Sequence, residues 1–127
     1  MIKTAFKTII AALLFVGLYS CLKNQKGGKS NINGFVLHHG KAISHATVYV
    51  KFNAKEFPGA NLSIYNYSVA ANKTGYFNAG NFYKGDYYLF VSGIDSTIAS
   101  PFKVSGGFHI NFKSYETVST DIPVGEE

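Results

Sequence analysis

From Asn31 to the last residue, no stretch of ten residues repeats its apolar positions with a helical period and caps. Short runs of β-branched and aromatic residues alternate there with clusters of Gly, Asn, Asp and Ser, the pattern of strands joined by turns. Ala46–Phe52 (ATVYVKF) is the cleanest run. Side chains alternate across a strand, so Ala46, Val48, Val50 and Phe52 share one face and Thr47, Tyr49 and Lys51 the other. Further runs are Ile32–His38, Leu62–Ala71, Tyr76–Phe82, Tyr87–Val91, Pro101–Val104, Phe108–Phe112 and Val118–Val124. Asn72-Lys73-Thr74-Gly75 reads as a turn whose Gly takes positive φ, and Lys84-Gly85-Asp86 as a second turn. At 46% hydrophobic and 15% charged, the chain is too apolar to stay disordered. The expected fold is all-β, an antiparallel sandwich of about seven strands.

The net charge of +5 does not mark a nucleic-acid binder. Five of the 12 Lys precede Asn31, the rest are balanced by seven acids, and there is no Arg. A neutral folded part without a guanidinium fork is a poor phosphate reader.

Residues 8–22 carry no charge, and Ile9–Tyr19 (IIAALLFVGLY) is nearly all apolar. Lys3 and Lys7 precede this run and Lys23 closes it. Fifteen helical residues would rise roughly 22 Å, short of the roughly 30 Å hydrocarbon core. The pattern is therefore a basic n-region and an h-region, a secretory signal rather than a spanning helix. The run ends Leu18-Tyr19-Ser20-Cys21, which resembles the lipobox of bacterial lipoproteins, with Tyr19 at a position more often small. The resemblance implies cleavage before Cys21 and its acylation. Cys21 is the only Cys, so an exported chain has no disulfide and one thiol to account for. Residues 22–30 (LKNQKGGKS) have the composition of a flexible, basic tether. The expected organisation is thus a signal peptide at 1–20, a lipidated tether at 21–30 and a β-sandwich domain at 31–127. Leu22 rather than Asp after the Cys, with no acidic cluster following, resembles lipoproteins of the outer membrane's periplasmic face.

Ile32-Asn33-Gly34-Phe35-Val36, Gly40-Lys41-Ala42-Ile43 and Ala46-Thr47-Val48-Tyr49-Val50 together resemble the opening of the carboxypeptidase regulatory-like domain. Thr74-Gly75-Tyr76-Phe77 and Lys84-Gly85-Asp86-Tyr87-Tyr88-Leu89-Phe90-Val91 resemble its second half. The likeness spans about residues 32–91; Ala42 stands where Pro is common and Ser44-His45 replaces a Gly. It implies a transthyretin-like (prealbumin-like) sandwich and says little of function. On this register Val36, Val48, Val50, Phe77, Tyr87, Leu89 and Val91 face the core, and the Tyr87 hydroxyl reaches a backbone partner near the sandwich edge.

His38, His39 and His45 lie within eight residues and could ligate a metal. Adjacent residues of a strand point to opposite faces, however, so only one of His38 and His39 could join His45. Exposed turn histidines are the plainer reading, and no metal or other cofactor is expected. The same fold houses 5-hydroxyisourate hydrolases, but their Arg and C-terminal Tyr-Arg-Gly-Ser are absent here. No G-x-S-x-G occurs either. Asp86, Asp95 and Asp121 read as isolated turn and surface acids. Asn61-Leu62-Ser63, Asn66-Tyr67-Ser68 and Asn72-Lys73-Thr74 are sequons, inert behind a bacterial lipobox.

Aromatics are the remaining signal. Phe35, Tyr49, Tyr88 and Phe90 fall on the non-core face, and Tyr65 and Tyr67 share a face of one run. Such a platform can stack on a sugar or dock a protein, unless a loop or the C-terminal segment covers it. The sequence thus reads as a lipid-anchored, exported, non-catalytic binding or structural module with a protein or glycan partner. The alternatives are a carbohydrate-binding module using the Tyr/Phe face, and a metal-dependent or enzymatic protein using His38, His39 and His45. Cys21→Ala should abolish labelling by radioactive fatty acid and leave the precursor at its unprocessed size; label on that variant would refute the anchor.

Overall fold

Strand β1 (Lys26–His38) shows the local rule that governs the chain. Ser30, Ile32, Gly34, Val36 and His38 are buried while the residues between them are not, the period of two expected of a strand with one face on a core. The computed structural model describes residues 22–127, so Cys21 and the predicted signal segment lie outside the described residues. Nine strands follow: β2 (Lys41–Ala42), β3 (Thr47–Phe52), β4 (Tyr67–Ala70), β5 (Tyr76–Phe82), β6 (Gly85–Ile94), β7 (Lys103–Phe112), β8 (Thr117–Ser119), β9 (Ile122–Pro123) and β10 (Gly125–Glu126). They form two five-stranded sheets packed as a sandwich. In the first sheet β1 pairs antiparallel with β2 and β5 and parallel with β8 and β9. The second has the order β10-β7-β6-β3-β4, antiparallel throughout.

The all-β sandwich is as expected from the alternation. Val36, Val48, Val50, Phe77, Tyr87, Leu89 and Val91 are each at most 1% exposed. Burying a side chain of this size stabilises by about 1.5–3 kcal/mol. Phe52, Phe82, Tyr87 and Phe112 form an aromatic knot at one end of the core, with Phe82 and Phe112 stacked at 5.6 Å. The Tyr87 hydroxyl donates to the carbonyls of Tyr83 at 2.7 Å and Gln25 at 3.2 Å, the backbone partners its burial requires.

Three local readings change. Gly106-Gly107 does not break a strand but lies inside β7. A Cβ on Gly107 would overlap the Leu89 carbonyl of β6, and one on Gly106 would crowd the Pro123 carbonyl. Close backbone approach, not a turn, is what these glycines serve. Beyond Tyr115 the single expected run is three short strands, which helps bring the strands to ten rather than about seven. β8 and β9 run alongside β1, and the chain can pass there because Gly34 has no Cβ to strike the Thr120 carbonyl.

The third change concerns the tether. Residues 26–30 belong to β1, and docking starts still earlier. The Asn24 N–H donates to the Lys84 carbonyl at 2.9 Å, and the Asn24 Oδ1 accepts from the Asp86 N–H at 2.7 Å. The Gln25 carbonyl accepts from the Tyr83 N–H. Lys26 Nζ sits 4.1 Å from the Tyr67 ring centre and 4.6 Å from that of Phe82, and donates to the Gly80 carbonyl. Desolvation lowers its pKa. Composition suggested a free linker because polar residues and glycines also suit an edge segment held by backbone pairing.

Val50→Asp should place an unpaired carboxylate in the core and cost several kcal/mol. Lys51 stands on the opposite face, so Lys51→Asp should cost under about 1 kcal/mol. Urea unfolding of both variants of the intact protein measures the contrast, and equal losses would refute the register.

Candidate functional site

In an antiparallel sheet directly paired residues share a face. Val48 and Val50 of β3 point inward, so Tyr49 points outward, and its partner Phe90 points outward with it. Tyr88 lies two residues away on the same face of β6. The Tyr65 ring packs on this pair, 5.8 Å from Tyr49 and 5.9 Å from Phe90. Phe57, from the loop after β3, packs 5.3 Å from Phe90 and 5.9 Å from Tyr88. The outer face of the second sheet therefore carries five contiguous aromatic rings. Beside Tyr49 a cleft of about 370 Å³ opens between Leu62, Tyr65 and the edge of β4.

The loop decides how much of this cluster meets solvent. Phe90 is only 7% exposed, whereas Phe57 is 51% exposed. Phe57 and Tyr65 thus form a partial cover over Phe90. The Tyr65 hydroxyl is committed, donating to the Gly59 carbonyl at 2.7 Å. Burial, reinforced by the nearby Tyr88, pushes the Tyr65 hydroxyl up to about 12.

Two expected members of the platform lie elsewhere. Phe35 is exposed on the first sheet, packed edge-on against Tyr76 at 5.4 Å, so it faces away from the second sheet's aromatics. Tyr67 and Tyr65 do not share a face. A 3₁₀ turn at Leu62–Ile64 precedes β4, which starts only at Tyr67. Tyr67 pairs with Val50 and turns inward against Phe82 and Lys26. The Asn61 Oδ1 caps the turn by accepting from the Ser63 N–H, and the Asn66 Oδ1 accepts from the Phe52 N–H. These bonds, invisible to a period of two, set the switch. The third sequon Asn is engaged as well, its Oδ1 accepting from the N–H groups of Thr74 and Tyr76 in the expected turn.

A polar group continues the aromatic face. Asp86 Oδ1 accepts from Asn111 Nδ2 at 2.9 Å and lies 2.8 Å from His109 Nε2. His109 is the register partner of Tyr88 and Asn111 that of Asp86, so all four stand on the same outer face. The Asn111 and His109 hydrogen bonds hold the Asp86 carboxyl below its ordinary pKa. Asp86 is therefore a fixed acceptor and not an isolated turn acid.

His38, His39 and His45 do not gather as the spacing suggested. His38 ends β1 on its inner face and is 4% exposed. His39 lies past the strand end with φ at +49°, and this left-handed step brings its ring to 4.3 Å from that of His38. The strand rule that separates neighbours stops applying there. His45 is exposed in the next turn, its N–H bonded to the Asn72 carbonyl. His38 Nδ1 lies 2.7 Å from Asp95 Oδ2. Asp95 is 3% exposed, again no surface acid. Its Oδ1 accepts from the Thr97 N–H at 3.0 Å and the Thr97 hydroxyl at 2.6 Å, and Lys41 Nζ lies at 3.4 Å. Thr97, then His38, hold this carboxyl far below the usual range. The Asp-x-Thr spacing is a local turn signal that could have flagged Asp95; Phe57 carried none beyond a lone aromatic in a polar loop.

No family model matches the chain, and no curated protein matches it. Solved structures do. A protein of Pseudomonas aeruginosa, described provisionally as carbohydrate-binding, superposes with a TM-score of 0.57 over 83% of this chain and 93% of its own, at 12% identity. A DUF3823 family protein of Parabacteroides merdae gives 0.49 at 16% identity, covering 78% of this chain and 47% of its own, so this chain spans about half its length. The first likeness establishes the β-sandwich fold and nothing finer.

Tyr65 and Tyr87 should ionise above the ordinary tyrosine range. Burial raises both to about 12. The folded state then holds more protons than the unfolded chain between about pH 10 and 12, so stability falls as pH rises through that window. Absorbance titration near 295 nm should show a late phase that shrinks in Tyr65→Phe; one uniform transition near pH 10 would contradict this.

Proposed function

We propose that this chain is a non-catalytic binding module of the cell envelope, whose ligand is a glycan seated on the outer face of the second sheet. The observation that carries the reading is the adjacency of two chemistries on one face of the sandwich. Tyr49, Phe57 and Tyr88 offer ring surfaces, and Asp86, His109 and Asn111 offer acceptor and donor groups held by one another. A sugar ring needs both: an apolar face to stack and directional partners for its hydroxyls. A purely apolar protein partner would leave the Asp86 group desolvated without gain. The shared architecture with the Pseudomonas protein supports the same class of ligand. The absence of a second thiol and of G-x-S-x-G supports a module without catalysis.

In this reading Cys21 carries the lipid, and the module stands at the periplasmic face of the outer membrane. Only Leu22 and Lys23 separate Cys21 from Asn24, where the chain is already bonded to Lys84. The end of the sandwich bearing Leu22, Lys29, Lys84 and Tyr115 would therefore rest near the headgroups. Two or three acyl chains, at about 0.8 kcal/mol per buried CH₂, would hold it there. The carboxypeptidase regulatory-like resemblance suits an accessory module of this kind.

Full-length protein in detergent should bind members of an oligosaccharide panel measured by calorimetry. Phe57→Ala with Tyr88→Ala should weaken that binding at least tenfold, and Asp86→Asn should weaken it separately, with the urea midpoint little changed. No binding to any glycan, or binding indifferent to all three changes, would overturn the proposal and favour a protein ligand.

A further inference from the structure

The geometry points to a metal site, independent of the aromatic face, in which His38, His39 and Glu126 bind a divalent transition metal of the zinc class. The candidate donor atoms of these three residues all lie within 4.8 Å of one another. Two are neighbours in sequence and the third, Glu126, comes from the far end of the described chain. His38 ends β1 of the first sheet, and His39 is turned beside it by its left-handed backbone. Glu126 belongs to β10 of the second sheet, where it is the register partner of Val104. Val104 is fully buried, so Glu126 stands on the inner side of its sheet at the sheet's edge, facing the end of β1. Two imidazoles and a carboxylate are a donor set suited to zinc.

The second observation is the arrangement behind His38. A ligating imidazole works best when its other nitrogen donates to a carboxylate, which fixes the tautomer and raises ligand basicity. Asp95 is placed for that task. Its Oδ1 is taken by Thr97, with Lys41 close by, and its Oδ2 lies 2.7 Å from His38 Nδ1. An ionised carboxylate can only accept, so in neutral His38 the proton is on Nδ1 and the lone pair on Nε2. His38 is 4% exposed and Asp95 3%, so the pair is locked by packing. His39 and Glu126 are exposed. Tetrahedral donors at zinc stand about 3.4 Å apart, so His39 and Glu126 would move toward His38 when the metal binds. With three protein ligands, a fourth position stays open to water or a further donor. The metal would also clamp the C-terminal strand of one sheet to the first strand of the other.

The test uses the full-length protein in detergent, stripped with chelator and titrated with zinc chloride against a chromophoric competitor. One equivalent per chain is expected, with a rise in the thermal midpoint. His39→Ala and Glu126→Gln change exposed side chains and should each lower zinc affinity at least tenfold and remove the thermal shift. Asp95→Asn, a positioning change, should lower affinity about 10- to 100-fold. His45→Ala should change nothing. Substoichiometric binding, or affinity unaltered in both His39→Ala and Glu126→Gln, would overturn the site.

Discussion

Every strand of the first sheet hydrogen-bonds to β1, and the rest of the molecule depends on that one strand having two usable edges. One edge takes β5 and β2, and the other takes β8 and β9. The second edge is available only because Gly34 leaves room for the Thr120 carbonyl. Asp121 then caps the arrangement, its Oδ1 accepting from the Phe35 N–H at 3.0 Å. Without that passage the C-terminal segment could not run beside β1 and then cross to pair with β7. The same strand reaches the N-terminal docking at Asn24 and Gln25, and its last residue is the buried His38.

The two ends of the sandwich are built differently. At one, the aromatic knot of Phe52, Phe82, Tyr87 and Phe112 closes the core with apolar area, and the Tyr87 hydroxyl ties it to the incoming chain. At the other, closure falls to the buried His38–Asp95 pair, which links the end of β1 to the loop between β6 and β7. A buried carboxylate is costly unless its lone pairs are filled, and here Thr97, His38 and Lys41 fill them. Between these two closed ends, paired strands β3, β6 and β7 carry the side chains of the outer face.

Period-two alternation by itself determined the all-β class, the inward set from Val36 to Val91 and the outward placement of Tyr49, Tyr88 and Phe90. These are local properties, because which side of a strand a residue takes depends only on its neighbours. The tertiary structure alone decided which outward residues meet. Phe35 and Phe90 both face outward, yet they belong to different sheets, and sheet membership is set by pairing between distant strands. Alternation also failed wherever the backbone left the strand. The 3₁₀ turn before Tyr67 put Tyr65 and Tyr67 on opposite sides, and the positive φ of His39 put His38 and His39 together. Asp95 and Glu126 look like ordinary polar residues in the sequence; folding placed one beneath His38 and the other beside it.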